Sequence, residues 1–341
     1  MKKQFFLFFV LFLGFFQFSK SQNQMIFMFY NVENLYDIKD DPQTDDNEFL
    51  PESPKKWDSE KYEKKLQNIA KVILEIGNNE NLPDFIGLCE IENREVLTDL
   101  AAQKELKKAN YQIVHQNSPD KRGVDVALLY KKESFAYLEH QAIRINIPND
   151  TSFKTRDILR VKGTLPNKEI LHIFVNHWSS RREGESVTEA KRLAAAKILR
   201  QNIDSIFKFE PKAKMIICGD FNDNPDNESI FKTLRATNNT SPKDDSELFN
   251  LMFEKFKQKQ GTLTHKNNWD LFDNLIVSQT FLTDKKGFHT NFEGGNIFRE
   301  KFLLFENKKG EVSPSRTYGG NKYFGGFSDH LPVFVIFKLE K

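Results

Sequence analysis

The stretch Gly325–Phe334 reads GGFSDHLPVF, an acid beside an imidazole on a small-residue turn, followed by an apolar, strand-like run. Alone, Asp and His on such a turn are ordinary loop punctuation. The pair acquires chemical meaning only if other strand ends bring the groups it needs as partners.

Such ends recur along the chain. The run MIFMFY ends in Asn31 and Glu33, and IGLC ends in Glu90 and, two positions on, Glu92. HIFV ends in Asn176 and His177, MIICG in Asp220 and Asn222, and LF in Asp273 and Asn274, while Asp329 and His330 precede the last strand. One polar strand end is commonplace, because strands stop at polar turns. Six ends with the same residue types, meeting on one rim, would build a pocket of carboxylates, amides and imidazoles suited to hydrolysing a phosphate ester with a hard cation.

Each residue type has a use there. Glu90 and the amide of Asn31 supply the oxygen ligands that magnesium or manganese prefers. Asp220 can orient or deprotonate water, and Asn222 can donate to phosphate oxygens without adding negative charge. An imidazole whose tautomer is fixed by a carboxylate can protonate a leaving oxygen. Zinc chemistry is not indicated, since HExxH and CxxC are absent; GxSxG, the P-loop and GxGxxG are absent too.

The periodicity predicts an α/β protein. Strands are expected at residues 25–32, 84–91, 111–116, 124–132, 158–165, 169–178, 214–222, 271–278 and 332–339. A helix is predicted from Ser59, with Tyr62, Leu66, Ile69, Val72, Ile73 and Ile76 on one face and Gly77 as its stop. A second is predicted through SVTEAKRLAAAKILRQNIDSIF, opened by a Ser186/Glu189 capping box. The acidic loop between Asp37 and Trp57 lacks the ligand spacing of a calcium loop and reads as solvated surface. Residues 285–326 read as one long Gly-rich, basic loop, carrying Arg299, Lys301, Lys308, Lys309, Arg316 and Lys322, either functional or decorative.

At the N-terminus, Lys2 and Lys3 precede an apolar run from Phe5 to Phe18 and the small-residue pattern Ser19-Lys20-Ser21, which reads as a secretory signal over residues 1–21. Gln17 and Lys20 make it too short for a membrane anchor. The expected product, residues 22–341, is a single secreted or periplasmic domain. Losing Lys2, Lys3 and Lys20 takes the 50 basic residues to 47 against 48 acidic ones. Bulk attraction to nucleic acid is therefore not expected, and any phosphate contact should be local to a cleft. Cys89 and Cys218 lie in apolar strand-like runs, where a buried free thiol is the commoner state.

The stretches FYNVENLYD, GLCEIEN, RGVDVALLY, FVNHWSSRREG, ICGDFND, WDLFDNLIVS and GGFSDHLPV together resemble the endonuclease/exonuclease/phosphatase superfamily, in that family's order and over nearly the whole mature chain. The resemblance implies a four-layer α/β sandwich, two mixed β-sheets face to face with helices outside, and an active site at one rim. It implies Glu90 as principal metal ligand with Asn31 beside it, Glu33 as support and Asp329 near the metal or its waters. Asp220 and Asn222 would handle water and phosphate, Asp273 would hold His330, and His177 would be the second imidazole, oriented by Asp125. Arg156, and with it Asn176, would meet the substrate. The chain departs from the pattern at Cys89, where many relatives have Gln, and at Glu33, where others have Asp or Asn.

The function so implied is a phosphodiesterase using Mg2+ or Mn2+, with Ca2+ as an alternative, acting on nucleic acid as a monomer without a membrane anchor or protein partner. A lipid or sugar phosphoesterase and a non-catalytic binding module are the other readings.

Overall fold

The computed structural model describes residues 24–147, 150–242, 244–284 and 286–340; the expected signal segment, residues 1–21, lies outside the described residues. The strands in chain order are β1 (Gln24–Leu35), β2 (Phe85–Ile91), β3 (Gln112–His115), β4 (Asp125–Tyr130), β5 (Ala136–Ile143), β6 (Ile158–Thr164), β7 (Ile170–His177), β8 (Lys214–Asp220), β9 (Ala236–Thr237) and β10 (Leu248–Asn250). They continue with β11 (Leu263–His265), β12 (Asn268–Asp270), β13 (Asp273–Ser278), β14 (Gly287–His289), β15 (Gly295–Ile297), β16 (Leu304–Glu306), β17 (Val312–Pro314), β18 (Tyr318–Gly319), β19 (Lys322–Tyr323) and β20 (Val333–Glu340). The long helices are α1 (Ser59–Ile76), α2 (Arg94–Ala101) and α3 (Glu185–Phe209).

One sheet runs β14-β20-β1-β2-β4-β3, with β15 also on β20; the other runs β5-β6-β7-β8-β13-β10-β9. Both are mixed, with β1 parallel to β2 and β7 parallel to β8. Alternation along each strand assigns the faces. Phe27, Phe29, Val175, Ile216, Cys218 and Val335 fill the space between the sheets. Met28, Tyr30, Ile86 and Leu88 point outward onto Leu66, Ile69 and Ile73 of α1. Phe174, Met215 and Ile217 point outward onto Leu199 and Ile203 of α3. The result is the expected four-layer sandwich. The sheets approach closely at Gly87, where a Cβ would stand 2.8 Å from the Sγ of Cys218. Cys89 and Cys218 are buried and free.

Helix α1 starts as expected, with Asp58 capping the N–H of Lys61 (3.0 Å) and Gly77 at its end. Helix α3 does not use the expected Ser186/Glu189 box. It begins one residue earlier, at Glu185, which Arg181 holds at 2.8 Å, after Gly184 turns the chain at φ 106°. The acidic loop is less solvated than its composition suggests. Asp46 and Trp57 are buried, and Tyr36, Phe49, Trp57 and Tyr318 form an aromatic cluster. Residues 286–326 are likewise not one loop: β15 pairs with β20, and β16–β17 and β18–β19 form two small hairpins.

Candidate active site

Strand register puts three of the expected residues in a row. His177 at the end of β7 pairs with Asp220 at the end of β8, and Asp220 pairs with Asp273 at the start of β13. Across the gap between sheets, the Nδ2 of Asn31 donates to Asp220 (3.0 Å) and approaches Oε1 of Glu90 (3.5 Å). The turn before β20 closes the ring. Ser328 donates to the carbonyl of Asn31 (2.7 Å) and accepts from the N–H of His330 (3.1 Å), while Nδ1 of His330 and Oδ2 of Asp273 share a 2.7 Å hydrogen bond. Glycine is required in this turn: Gly325 has φ 70°, and a Cβ on Gly326 would sit 2.2 Å from the carbonyl oxygen of Ser315.

Glu90 owes its direction to a bulge. The pairing of β2 with β4 shifts register between Cys89 and Ile91, and Glu90 takes φ 62°. An extra residue in one strand bends it and re-aims its side chain. Glu90 thus leaves the buried sheet face and enters the cleft, where one carboxylate oxygen accepts from the N–H of Asn34 (2.8 Å).

Charge in this cleft is unevenly held. Burial lowers the proton affinity of His330, but the carboxylates of Asp273 and Asp220 outweigh it and hold the imidazole well above its usual pKa. Burial and the nearby Arg156 and Arg122 push His177 well below its usual value, so it is neutral. Its Nε2 lies 3.7 Å from Asp220 and 3.9 Å from Glu90. Asp220 is pushed up by burial and by Asp273, with His330 and the N–H of Asn222 opposing. A positive and a neutral imidazole therefore flank one carboxylate, with His330 Nε2 3.8 Å from it on the other side.

Asp329, beside His330, pairs one carboxylate oxygen with Arg316 (3.1 Å) at the cleft edge. Three expectations change. Asp125 binds His115 (3.2 Å) and the N–H of Ser118 (2.9 Å) instead of His177, because β3 lies beside β4 and brings His115 to it. Nδ1 of His177 is buried without a partner among the described residues. Arg156 is buried, donating to the carbonyls of His177 (3.2 Å) and Trp178 (2.6 Å) and to Asp120 (3.0 Å), so its guanidinium is spent on bracing the strand end that carries His177 instead of standing free in the cleft. Asn176 is fully buried, donating to Cys218 O (3.1 Å) and accepting from the Trp178 indole (3.2 Å), so its amide is spent inside the sheet. Glu33 takes the supporting role left open by its sequence, accepting from the N–H of Thr317 at 2.6 Å.

Other supports were not singled out from sequence. Lys65 is buried and donates to Thr317 Oγ1 (2.6 Å) and Phe327 O (2.7 Å), and Asn68 donates to Gly326 O (2.9 Å), so α1 holds the turn that carries His330. The signal was present: Lys65 precedes Ile69 by four residues on the apolar stripe. Arg181 donates to Asn222 O (2.7 Å) and Asp223 (2.6 Å) and stacks on Phe272, the neighbour of Asp273. The consecutive arginines after His177 and Trp178 were its only trace.

The donor set suits a hard divalent cation. Glu90, its side chain 15% exposed, gives Oε2 to the N–H of Asn34 and holds Oε1 only by the long 3.5 Å contact with Asn31. Asn31 turns its NH2 toward the carboxylates and its Oδ1 toward the N–H of Glu33 (3.0 Å), so it offers an oxygen ligand only after its amide rotates. Among the described residues no three His, Cys, Asp or Glu side chains form a closed ligand cage. Oxygen donors of this kind are those a hard divalent cation takes.

The sequence model described as the endonuclease/exonuclease/phosphatase family matches residues 26–341. Among solved structures, a humanized D. rerio TDP2 is similar at TM-score 0.55 and 14% identity, covering 93% of this chain and 99% of that one. The human Nocturnin catalytic domain is similar at TM-score 0.54 and 17% identity, over 93% of this chain and 95% of that one. An endonuclease/exonuclease/phosphatase family protein from Bacteroides thetaiotaomicron is similar at TM-score 0.55 and 14% identity, over 93% and 98%. No curated protein matches. These likenesses carry the fold, and the match over residues 26–341 carries the family: the chain belongs to the endonuclease/exonuclease/phosphatase family.

Proposed function

We propose that this protein is an exported, divalent-metal-dependent phosphodiesterase that cuts nucleic acid by in-line attack of water. The observation that carries the reading is the convergence of Asn31, Glu90, His177, Asp220 and His330 around one cleft, with Asn31 donating to Asp220 across the two sheets at 3.0 Å.

Glu90, with Asn31 once its amide turns, would hold the cation, which when bound neutralises a phosphate oxygen and makes water more acidic. Asp220 accepts the proton of the attacking water, a task its raised proton affinity suits. His330, kept cationic by Asp273, donates to a non-bridging or leaving oxygen. Neutral His177 supplies a second polar contact to the same phosphate. Asn222 spends one amide hydrogen on the carbonyl of Trp178 (3.1 Å) and keeps the other for substrate.

Support for nucleic acid as substrate comes from a fold neighbour, D. rerio TDP2, solved in complex with a single-stranded DNA product. Export rests on the apolar run Phe5–Phe18 behind Lys2 and Lys3. Among the described residues no helix is long and apolar enough to cross a membrane, and we read the product as a monomer.

The test is incubation of purified protein with plasmid DNA, RNA, sphingomyelin and sugar phosphates, each with magnesium or with chelator. Cleavage of DNA or RNA that chelator and Glu90→Gln both abolish is the expected result. Turnover of the lipid or sugar ester alone would overturn the nuclease assignment, and undiminished turnover in Glu90→Gln would remove the site.

A further inference from the structure

We propose that the β18–β19 hairpin with Phe324 is a stacking platform for a nucleobase of the substrate strand, an inference that rests on the nucleic-acid reading above. A hairpin this short does not hold by itself. Three anchors hold this one. Tyr318 packs on Trp57 (6.1 Å between ring centroids) and Phe49 (6.4 Å), and its hydroxyl donates to Lys55 O (3.0 Å). Lys55 Nζ donates back to Gly320 O (3.2 Å) at the tip. At the base, Thr317 N–H is held by Glu33, and Phe324 N–H donates to Thr317 O (2.9 Å).

On this rigid support Phe324 is 55% exposed. Its ring lies directly on Gly319, where a Cβ would come within 2.6 Å of a ring carbon. Any larger residue at 319 would lift the ring. A cation accompanies the ring: Lys322 Nζ lies 5.4 Å from the Phe324 centroid, whereas Lys61, 5.6 Å from the Tyr323 ring, is spent on Asp58 (2.6 Å). The chain then passes through the Gly325–Gly326 turn to the segment that carries His330. His330 is six residues beyond Phe324, within a reach of about 20 Å, and the intervening carbonyls are pinned by Asn68 and Lys65.

An exposed aromatic face with a flanking cation, fixed beside phosphate chemistry, is the arrangement that binds single strands without sequence preference: the ring stacks a base and the cation follows the backbone. Membrane docking is the poorer fit. Binding to a bilayer surface grows with the apolar area buried, and Tyr318 and Tyr323 are turned into the hairpin's own packing, so that Phe324 is the ring the hairpin leaves exposed.

The experiment compares kcat/KM of wild type, Phe324→Ala, Phe324→Trp and Lys322→Gln on a labelled single-stranded oligonucleotide and on bis(p-nitrophenyl) phosphate, with vesicle sedimentation on phosphatidylcholine. Phe324→Ala is expected to lose about tenfold more on the oligonucleotide than on the small diester, through KM, and Phe324→Trp to regain it. Lys322→Gln should flatten the salt dependence of the oligonucleotide reaction. A wild type that cuts the oligonucleotide no better than Phe324→Ala, or equal losses on both substrates, defeats the platform alone. Vesicle binding that requires Phe324 replaces it with a membrane contact. A wild type that hydrolyses the small diester but no nucleic acid defeats the nuclease reading, and the platform with it.

Discussion

Replacing Asp273 by Asn tests the electrostatics of the site with little change of shape. Asp273 is fully buried, and its Oδ2 lies 2.7 Å from Nδ1 of His330. Asn keeps an acceptor for that N–H but removes the charge that holds the imidazole protonated. At this separation, with an effective dielectric of about 20, the attraction between the two charges is about 6 kcal/mol, a ceiling that desolvation reduces. Net values for hydrogen bonds between charged groups run at about 1.5–3 kcal/mol, which predicts a fall of roughly 10–150-fold in kcat/KM.

The pH dependence carries the sharper signature. His330 has its folded pKa raised above the unfolded value of about 6.5. The stability it contributes is therefore full below that value and is lost as pH rises through the folded pKa. Without Asp273, burial pulls the imidazole down against Asp220 and the more distant help of Asp329, so the alkaline limb of the rate profile moves to lower pH, and the stability deficit of the variant is largest in acid. Rates on bis(p-nitrophenyl) phosphate across pH, with urea melts at the same pH values, measure both. A variant within about threefold of wild type, with its alkaline limb in place, would refute the role given to the Asp273–His330 pair.

Arg156→Ala strips buried Asp120 of its hydrogen-bonded guanidinium and removes two carbonyl contacts; breaking such a pair should cost about 3–5 kcal/mol, seen in chemical denaturation, whereas unchanged stability with a raised KM would return Arg156 to substrate contact. Gly87→Ala places a methyl 2.8 Å from the Sγ of Cys218 between the sheets, and should destabilise by about 1–3 kcal/mol; a neutral result would mean that the sheets separate freely there. Burial, opposed by the N–H of Asp37 and aided by the carboxylates of Asp37 and Asp46, pushes Glu92 up to about 8. The wild type therefore loses stability as pH rises from the unfolded value of about 4.3 to that point. Glu92→Gln removes the titration and should gain on wild type over that range, then run parallel above it; urea melts at about pH 5 and about pH 9 that show a constant difference would contradict this.

Much of the architecture is legible because burial imposes period. Ile216 and Cys218 face inward while Met215 and Ile217 face α3, so β8 is apolar on both faces and reads in the sequence as the short continuous apolar run of a buried strand. The site residues Asn31, Glu90, Asp220, Asp273 and His330 are legible for a related reason, since each closes or opens an apolar run at the same rim. Partner choice is not legible. Asp125, Arg156 and Asn176 sit close to the rim in sequence, yet their side chains are claimed by His115, by backbone carbonyls and by the Trp178 indole, contacts that strand order creates. The burial of Lys65 is legible from its place on the apolar stripe of α1, but nothing local names its partner, Thr317, which lies 252 residues away. The hairpins of residues 304–323 escaped because two- and three-residue strands leave no periodic trace.

The backbone around the cleft explains how so many acids coexist there. Glu33, Asn34, Glu90 and Asn222 all take positive φ although none is glycine; such conformations cost about 1–3 kcal/mol each when held against preference. Each of the N–H groups of Glu33, Asn34 and Asn222 is spent on a site side chain: on Asn31 (3.0 Å), on Glu90 (2.8 Å) and on Asp220 (2.9 Å). At the irregular end of β1 and just past β8, a left-handed residue turns its N–H back toward the preceding side chain or across to the next strand. The strain therefore yields fixed partial positive charge on one side of each polar group, which leaves the other side to face the cleft. Neutralising these groups with lysines would have filled the space a substrate phosphate needs; backbone N–H groups hold them and occupy none of it.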